Sequence, residues 1–181
     1  MRWFSGISKM KKIFLPILFF CAVTIAQQKT TQVGVDIIKY FEGFRAKSYL
    51  CPASVWTMGF GSTGTHVKPG MIITEYEAER LLIQDLGRFE KYVNRTAQRL
   101  LKWHEFDALV SFSFNVGYRL KDELKFAVNT GNTKVVVYKL MLYNKAKVKG
   151  TYQILPGLTK RRTAESSLYS NPKVKLFGNY L

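Results

Sequence analysis

Only one part of this chain carries a β-type pattern, and it is short. Ser48 to Leu50 and Val55 to Phe60 are runs rich in Val, Trp, Thr, Tyr and Phe, divided by Cys51-Pro52-Ala53-Ser54. Gly59, Gly61, Gly64, Pro69 and Gly70 then make a turn-rich stretch. One small antiparallel hairpin cannot bury a core alone, so helices must supply the rest. Val33, Ile37, Tyr40, Phe41 and Phe44 recur at helical spacing and stop at Gly43. Thr74-Glu75-Tyr76-Glu77 is a capping box ahead of the Ala78, Leu81, Leu82, Leu86 and Phe89 stripe, which predicts a long helix from about Glu75 to Gln98. Phe106 to Phe114, with Gly117 as its stop, predicts a buried central helix. Further helices are expected over Asp122 to Thr130 and Leu158 to Tyr169, whereas Lys134 to Tyr143 fits strand and helix equally. The class is α+β and predominantly helical: a small N-terminal lobe with the hairpin, a long connecting helix and a helical C-terminal lobe.

The chain divides once. Arg2, Lys9, Lys11 and Lys12 precede the apolar run Ile13 to Ala26, with no acidic residue in positions 1–26. That is the order of a secretory signal peptide, and Thr24 and Ala26 take the −3 and −1 places for cleavage before Gln27. The apolar run is shorter than the ~20 residues that cross a bilayer as a stable helix; a retained membrane anchor is the alternative. Either way the body, 27–181, is exported to the periplasm or the cell exterior, with transient membrane contact through the leader.

Without the leader, 24 basic residues face 12 acidic ones, a formal charge of +12. Such a body favours a polyanionic partner: nucleic acid, anionic lipid and a bacterial wall all qualify, and export argues against nucleic acid. Cys21 lies in the leader and Cys51 in the body, so a processed chain has one thiol and no disulfide framework. His66 and His104 each lack a second ligand at metal-binding spacing, which argues against a metal and places both as surface or capping residues.

Most acidic residues have structural explanations: Glu75 and Glu77 at a helix start, Glu79, Asp85 and Glu90 along a solvated face. Glu42 differs. It ends an apolar helix beside Phe41, Gly43 and Phe44, where a carboxylate is partly desolvated, the setting that suits a general acid. Pairing with a nearby arginine is the structural alternative. Cys51 follows Glu42 by nine positions and Thr57 follows Cys51 by six, on the hairpin that must fold back near the helix end.

The stretch Val33 to Gly61, with Phe41-Glu42-Gly43, Tyr49, Val55-Trp56-Thr57 and Gly59-Phe60-Gly61, resembles the active-site segment of the phage-type lysozymes, glycoside hydrolase family 24. The likeness continues through Val67-Lys68-Pro69-Gly70, Thr74-Glu75, Phe106 to Phe112, Phe114-Asn115-Val116-Gly117 and Leu155-Pro156-Gly157-Leu158 with Arg161-Arg162. It covers essentially all of Val33 to Tyr169.

The resemblance implies a lysozyme-like fold and hydrolysis of the bond between N-acetylmuramic acid and N-acetylglucosamine in peptidoglycan, by a monomer with no metal or organic cofactor. It makes Glu42 the proton donor, and Cys51 and Thr57 the pair that holds or activates water. Arg161 or Arg162 becomes the partner of Glu42, and Asn115 with Phe114 the substrate-binding pair. Asn115 as a helix-end cap is the alternative.

There are departures. Ser62 stands where many members have histidine, Tyr143 replaces a frequent tryptophan, and the segment after Gly117 is short by a few residues, with Tyr118 to Lys121 departing from the usual sequence. Two other functions compete: an inert wall-binding protein on the same fold, supported by Cys51 where a carboxylate is the stronger base, and a basic membrane-active or nucleic-acid-binding module, supported by charge alone.

Overall fold

In the computed structural model, residues 27–51 and 54–173 are described throughout, with the backbone of 175–176 and 179–180. The leader lies outside the described residues. Among those described, no helix is long and apolar enough to cross a membrane.

Helix α1 (Gln32–Glu42) leads into a three-stranded antiparallel sheet, β1 (Arg45–Leu50), β2 (Trp56–Gly59) and β3 (Ser62–Thr63), in that order across the sheet. Helix α2 (Glu75–Thr96) links the sheet to the helical lobe, where α3 (Trp103–Val116), α4 (Asp122–Asn129), α5 (Thr133–Met141) and α6 (Pro156–Ser170) pack together. The capping box forms as expected: Thr74 Oγ1 accepts from the Glu77 amide and Glu77 Oε2 accepts from the Thr74 amide. The core runs through both lobes, and α3 is its axis. Phe106, Ala108, Leu109, Val110 and Phe112 are completely buried there and contact α1, α2 and α6.

Four expectations need correction, and one open reading is settled. The hairpin at 48–60 is not alone: β4 (Lys145–Val148) pairs with β5 (Thr151–Ile154) in register, around a turn in which Lys149 and Gly150 take positive φ. All four β5 residues are exposed, so that strand lacks the apolar alternation a sequence search relies on. The ambiguous segment is helix α5, because Val136 and Leu140, four apart, are both buried and the Asn132 side chain caps the Val135 amide. His104 is buried rather than superficial, with Nδ1 3.0 Å from the carbonyls of Leu168 and Tyr169. Glu90 is buried too, accepting from the Thr30 amide and from Lys29 Nζ at 2.7 Å, which pins the start of the body to α2. The buried face of α1 is also rotated: Val35, Ile37 and Ile38 are inside while Tyr40 and Phe44 are exposed.

Gly34 lets α1 approach α3, since a Cβ there would lie 2.7 Å from Asp107 Cγ. Asp107 in turn accepts from the Thr31 amide and hydroxyl, anchoring the N-terminus of α1 to the central helix. At the start of α3, Arg99 grips Glu105 with both guanidinium nitrogens, at 2.9 and 3.0 Å.

Burial alone would raise the Glu105 carboxyl's pKa, but the Arg99 fork and the Lys102 amide together hold it below the ordinary glutamate value. A depressed folded-state value contributes stability above the unfolded-state value and loses it as pH falls through the folded one. Wild type is therefore expected to exceed Glu105→Gln in unfolding free energy at neutral pH, with the gap closing in acid. Parallel denaturant titrations across pH 7 to 3 check this.

Candidate active site

Glu42 is the last residue of α1. Gly43 ends the helix with φ +72°, a left-handed conformation that favours glycine, and its amide donates to the Lys39 carbonyl. The carboxylate thus emerges at the junction of helix and sheet. It faces the β2–β3 turn, where a Cβ on Gly61 would stand 3.9 Å from Glu42 Oε2, and its side chain remains 25% exposed. A larger residue at 61 would meet both that carboxylate and a backbone at φ +91°.

The other oxygen meets an arginine, and the structure chooses between the two candidates. Arg161 Nη1 donates to Glu42 Oε1 at 2.6 Å, with its guanidinium over the Phe41 ring. Arg162 points elsewhere: its Nη2 donates to Asn115 Oδ1 at 3.0 Å and its plane covers Phe112. Both arginines are almost wholly buried on the first turns of α6. That helix starts at Pro156, whose missing amide is harmless at the first helical position.

Between the arginines sits a carboxylate that the sequence reading passed over. Glu165 is completely buried and accepts from Arg161 Nε, Arg162 Nη2 and Ser111 Oγ at one oxygen, at 3.2, 3.0 and 2.8 Å. Its other oxygen is 2.8 Å from Arg162 Nε. Burial pushes the Glu165 carboxyl pKa up, against the pull of Arg162 and Arg161; burial likewise lowers that of Arg162, against the pull of Glu165. The four ionisable groups Glu42, Arg161, Glu165 and Arg162 balance in formal charge. The signal was present as Arg161-Arg162-Thr163-Ala164-Glu165, spacing that sets a carboxylate one turn after two guanidiniums.

Cys51 and Thr57 are brought together on the hairpin. Tyr49 pairs with Thr57 and Leu50 with Trp56, so Cys51 falls opposite Val55. The Cys51 amide and the Thr57 hydroxyl both donate to the Val55 carbonyl, at 3.0 and 3.1 Å. Strand alternation then places both side chains on one face, with Cys51 half-buried and Thr57 buried. Asn115 is exposed near the end of α3, while half-buried Phe114 packs its ring against Phe89 at 5.3 Å. The departures are accommodated locally. Ser62 Oγ lies 3.3 Å from His66 Nε2, and Tyr143 meets Phe112 edge-on at 5.0 Å.

Glu42 is thus a carboxylate held by a buried guanidinium between a small sheet and a helical lobe, and the chain around it is similar to known proteins over most of its length. The phage lysozyme family profile covers residues 39–165. The chain belongs to the phage lysozyme family. Among its relatives is an endolysin of Acyrthosiphon pisum secondary endosymbiont phage 1, 34% identical over 78% of this chain and 97% of that protein. The fold is similar to that of the muramidase domain of SpmX from Asticaccaulis excentricus, with TM-score 0.75 and 32% identity over 80% of this chain and 99% of the other. An endolysin from Escherichia coli O157:H7 phage FAHEc1 gives TM-score 0.74 and 32% identity over 80% and 95%. This lysozyme is accordingly a glycoside hydrolase whose polymer is bacterial peptidoglycan.

Removing Arg161 from the lysozyme strips Glu165 of one counter-ion inside the core. Arg161→Ala should cost about 3–5 kcal/mol, whereas Lys160→Ala, one residue away and exposed, should stay within about 0.5 kcal/mol. Chemical unfolding of the two variants beside wild type measures both.

Proposed function

We propose that Glu42 protonates the glycosidic oxygen between N-acetylmuramic acid and N-acetylglucosamine, while Cys51 and Thr57 hold the attacking water on the opposite face of the sugar. The observation that carries this reading is the Glu42–Arg161 contact. A carboxylate clamped on one oxygen, and open on its other side, is oriented without being withdrawn from a ligand. Glycoside cleavage needs an acid on the leaving oxygen and a water or nucleophile on the other face of an oxocarbenium-like centre. The shared Val55 carbonyl gives the hairpin pair a common anchor, as a water-holding pair requires. Asn115 and Phe114 form the substrate-binding side in the helical lobe.

The basic leader and apolar run at 1–26 support export, with a signal peptide cleaved before Gln27 and the body reaching the wall as a monomer. Mature protein from an exporting cell then begins at or near Gln27; a full-length, membrane-extractable chain would establish the anchor instead.

Glu42→Gln keeps the shape of the side chain and removes its transferable proton, so wall hydrolysis should fall below about a tenth of wild type with the fold intact, a general acid contributing about 10²–10⁴-fold. Activity above that level rejects Glu42 as the acid. Cys51→Asp should keep substantial activity, because a carboxylate is the stronger partner for a positive transition state, and Cys51→Ala should lose about 10-fold or more. A thiol reagent should inactivate wild type and spare the aspartate variant. Equal activity of the alanine and wild-type proteins would leave water placement to Thr57 alone.

A further inference from the structure

We propose that Glu165 is a positioning residue for both sides of the cleft: it holds Arg161 against Glu42 and, through Arg162, turns the Asn115 amide so that its NH2 group faces outward. This rests on the reading of Glu42 as the acid and extends it to a residue that touches no substrate.

The first arm is a chain of contacts. Glu165 Oε1 receives Arg161 Nε, and the same guanidinium extends Nη1 to Glu42 and Nη2 to the Ser111 carbonyl at 3.4 Å. An arginine side chain has many rotamers, and a free one would sample many orientations. Here three directed contacts and the Phe41 ring leave it one. Ser111 Oγ, donating at 2.8 Å from the middle of α3, fixes the carboxylate itself.

The second arm is decided by donor chemistry. A guanidinium has five N–H donors and no acceptor, so the Asn115 atom that meets Arg162 Nη2 at 3.0 Å must be the carbonyl oxygen. The Asn115 NH2 is then directed away from Arg162, and the residue is exposed. An outward amide donor fits an acceptor on the glycan, such as an N-acetyl carbonyl or a hydroxyl. One buried carboxylate thus orders an acid on α1 and a donor on α3.

The electrostatic consequence separates this role from mere packing. With Glu165 present, its charge offsets part of the arginine field at Glu42. Neutralising it leaves Arg161 with Glu42 as its remaining carboxylate contact and Arg162 facing only Asn115, a stronger positive field around the acid, which favours the ionised carboxylate. The rate of an acid-catalysed step then falls off at lower pH.

The test uses the exported chain on soluble, uncross-linked glycan strands, measuring reducing ends across pH. Glu165→Gln is expected to lower kcat by about 10-fold or more, with its alkaline limb moved to lower pH, and Glu165→Asp to recover part of both. Because the glutamine removes the counter-charge of two buried guanidiniums and strains the core, Ser111→Ala serves as a milder variant, expected to lower kcat several-fold in a folded protein. Asn115→Asp keeps an acceptor for Arg162 but removes the outward donor, and is expected to raise KM with kcat less affected. Folded Glu165→Gln and Ser111→Ala proteins with wild-type kcat and pH profile would overturn the first arm. An unchanged KM in Asn115→Asp would overturn the second. Glu42→Gln assayed alongside separates the two claims. An inactive Glu42→Gln with a wild-type-like Glu165→Gln defeats only the positioning role, while an active Glu42→Gln defeats the acid assignment beneath it.

Discussion

Everything near the cleft depends on how α6 crosses α3 with four charges between them and the surface. Arg161, Arg162 and Glu165 are buried to within a few per cent of completely, and isolated charges at such depth would be intolerable. They persist because each guanidinium has a carboxylate, each carboxylate a guanidinium, and Ser111 supplies a further donor. A buried ion network of this kind is weak evidence for net stability, since apolar residues can fill such space as well. What it supplies is geometry. The α3–α6 contact cannot slide by a turn without breaking the hydrogen bonds of Ser111 to Glu165, of Arg161 to the Ser111 carbonyl and of Arg162 to Asn115 at once, and the groups beside it, Glu42 and Asn115, inherit that precision.

The same logic explains the division of labour between the lobes. Helix α1 brings Glu42 out of the core at a glycine stop and is itself tied to α3 through Thr31 and Asp107 and by the close approach at Gly34. The sheet brings Cys51 and Thr57 on a hairpin whose register is set by Tyr49–Thr57 and Leu50–Trp56. Helix α2 packs on β2 and β3 at one end, and near its other end Tyr92 exchanges hydrogen bonds with Leu120 of the helical lobe. Glu42, the proposed acid, is therefore fixed by the helical lobe, and Cys51 and Thr57, the proposed water-holding pair, by the sheet. The formal +12 on the body beyond position 26 surrounds this arrangement with a field suited to an anionic wall polymer.

Much of this was legible in the chain. The helix-ending glycine after Glu42, the capping box at Thr74 and the hairpin at 48–60 are local signals, and local physics decided them. The spacing of Glu42, Cys51 and Thr57 led to the family together with the motifs that follow it as far as Arg162. What escaped depends on tertiary contacts. Glu90 looked like one more charge on a solvated face until the segment at 28–31 folded over it, and His104 looked superficial until the end of α6 supplied two carbonyls. The second hairpin carries lysines and exposed side chains on a two-residue repeat with no buried face to betray it. Choosing Arg161 over Arg162 required knowing which way each adjacent side chain leaves the helix, and consecutive residues on a helix diverge by about 100°.

The central claim is that a fixed carboxylate at the mouth of this cleft breaks a glycosidic bond on the muramic acid side. Its most direct test is to digest purified peptidoglycan with the purified protein, reduce the new ends chemically and identify the sugar alcohols. The account predicts reduced N-acetylmuramic acid as the product that grows with time. Reduced N-acetylglucosamine, or free amines with no new reducing ends, would contradict it.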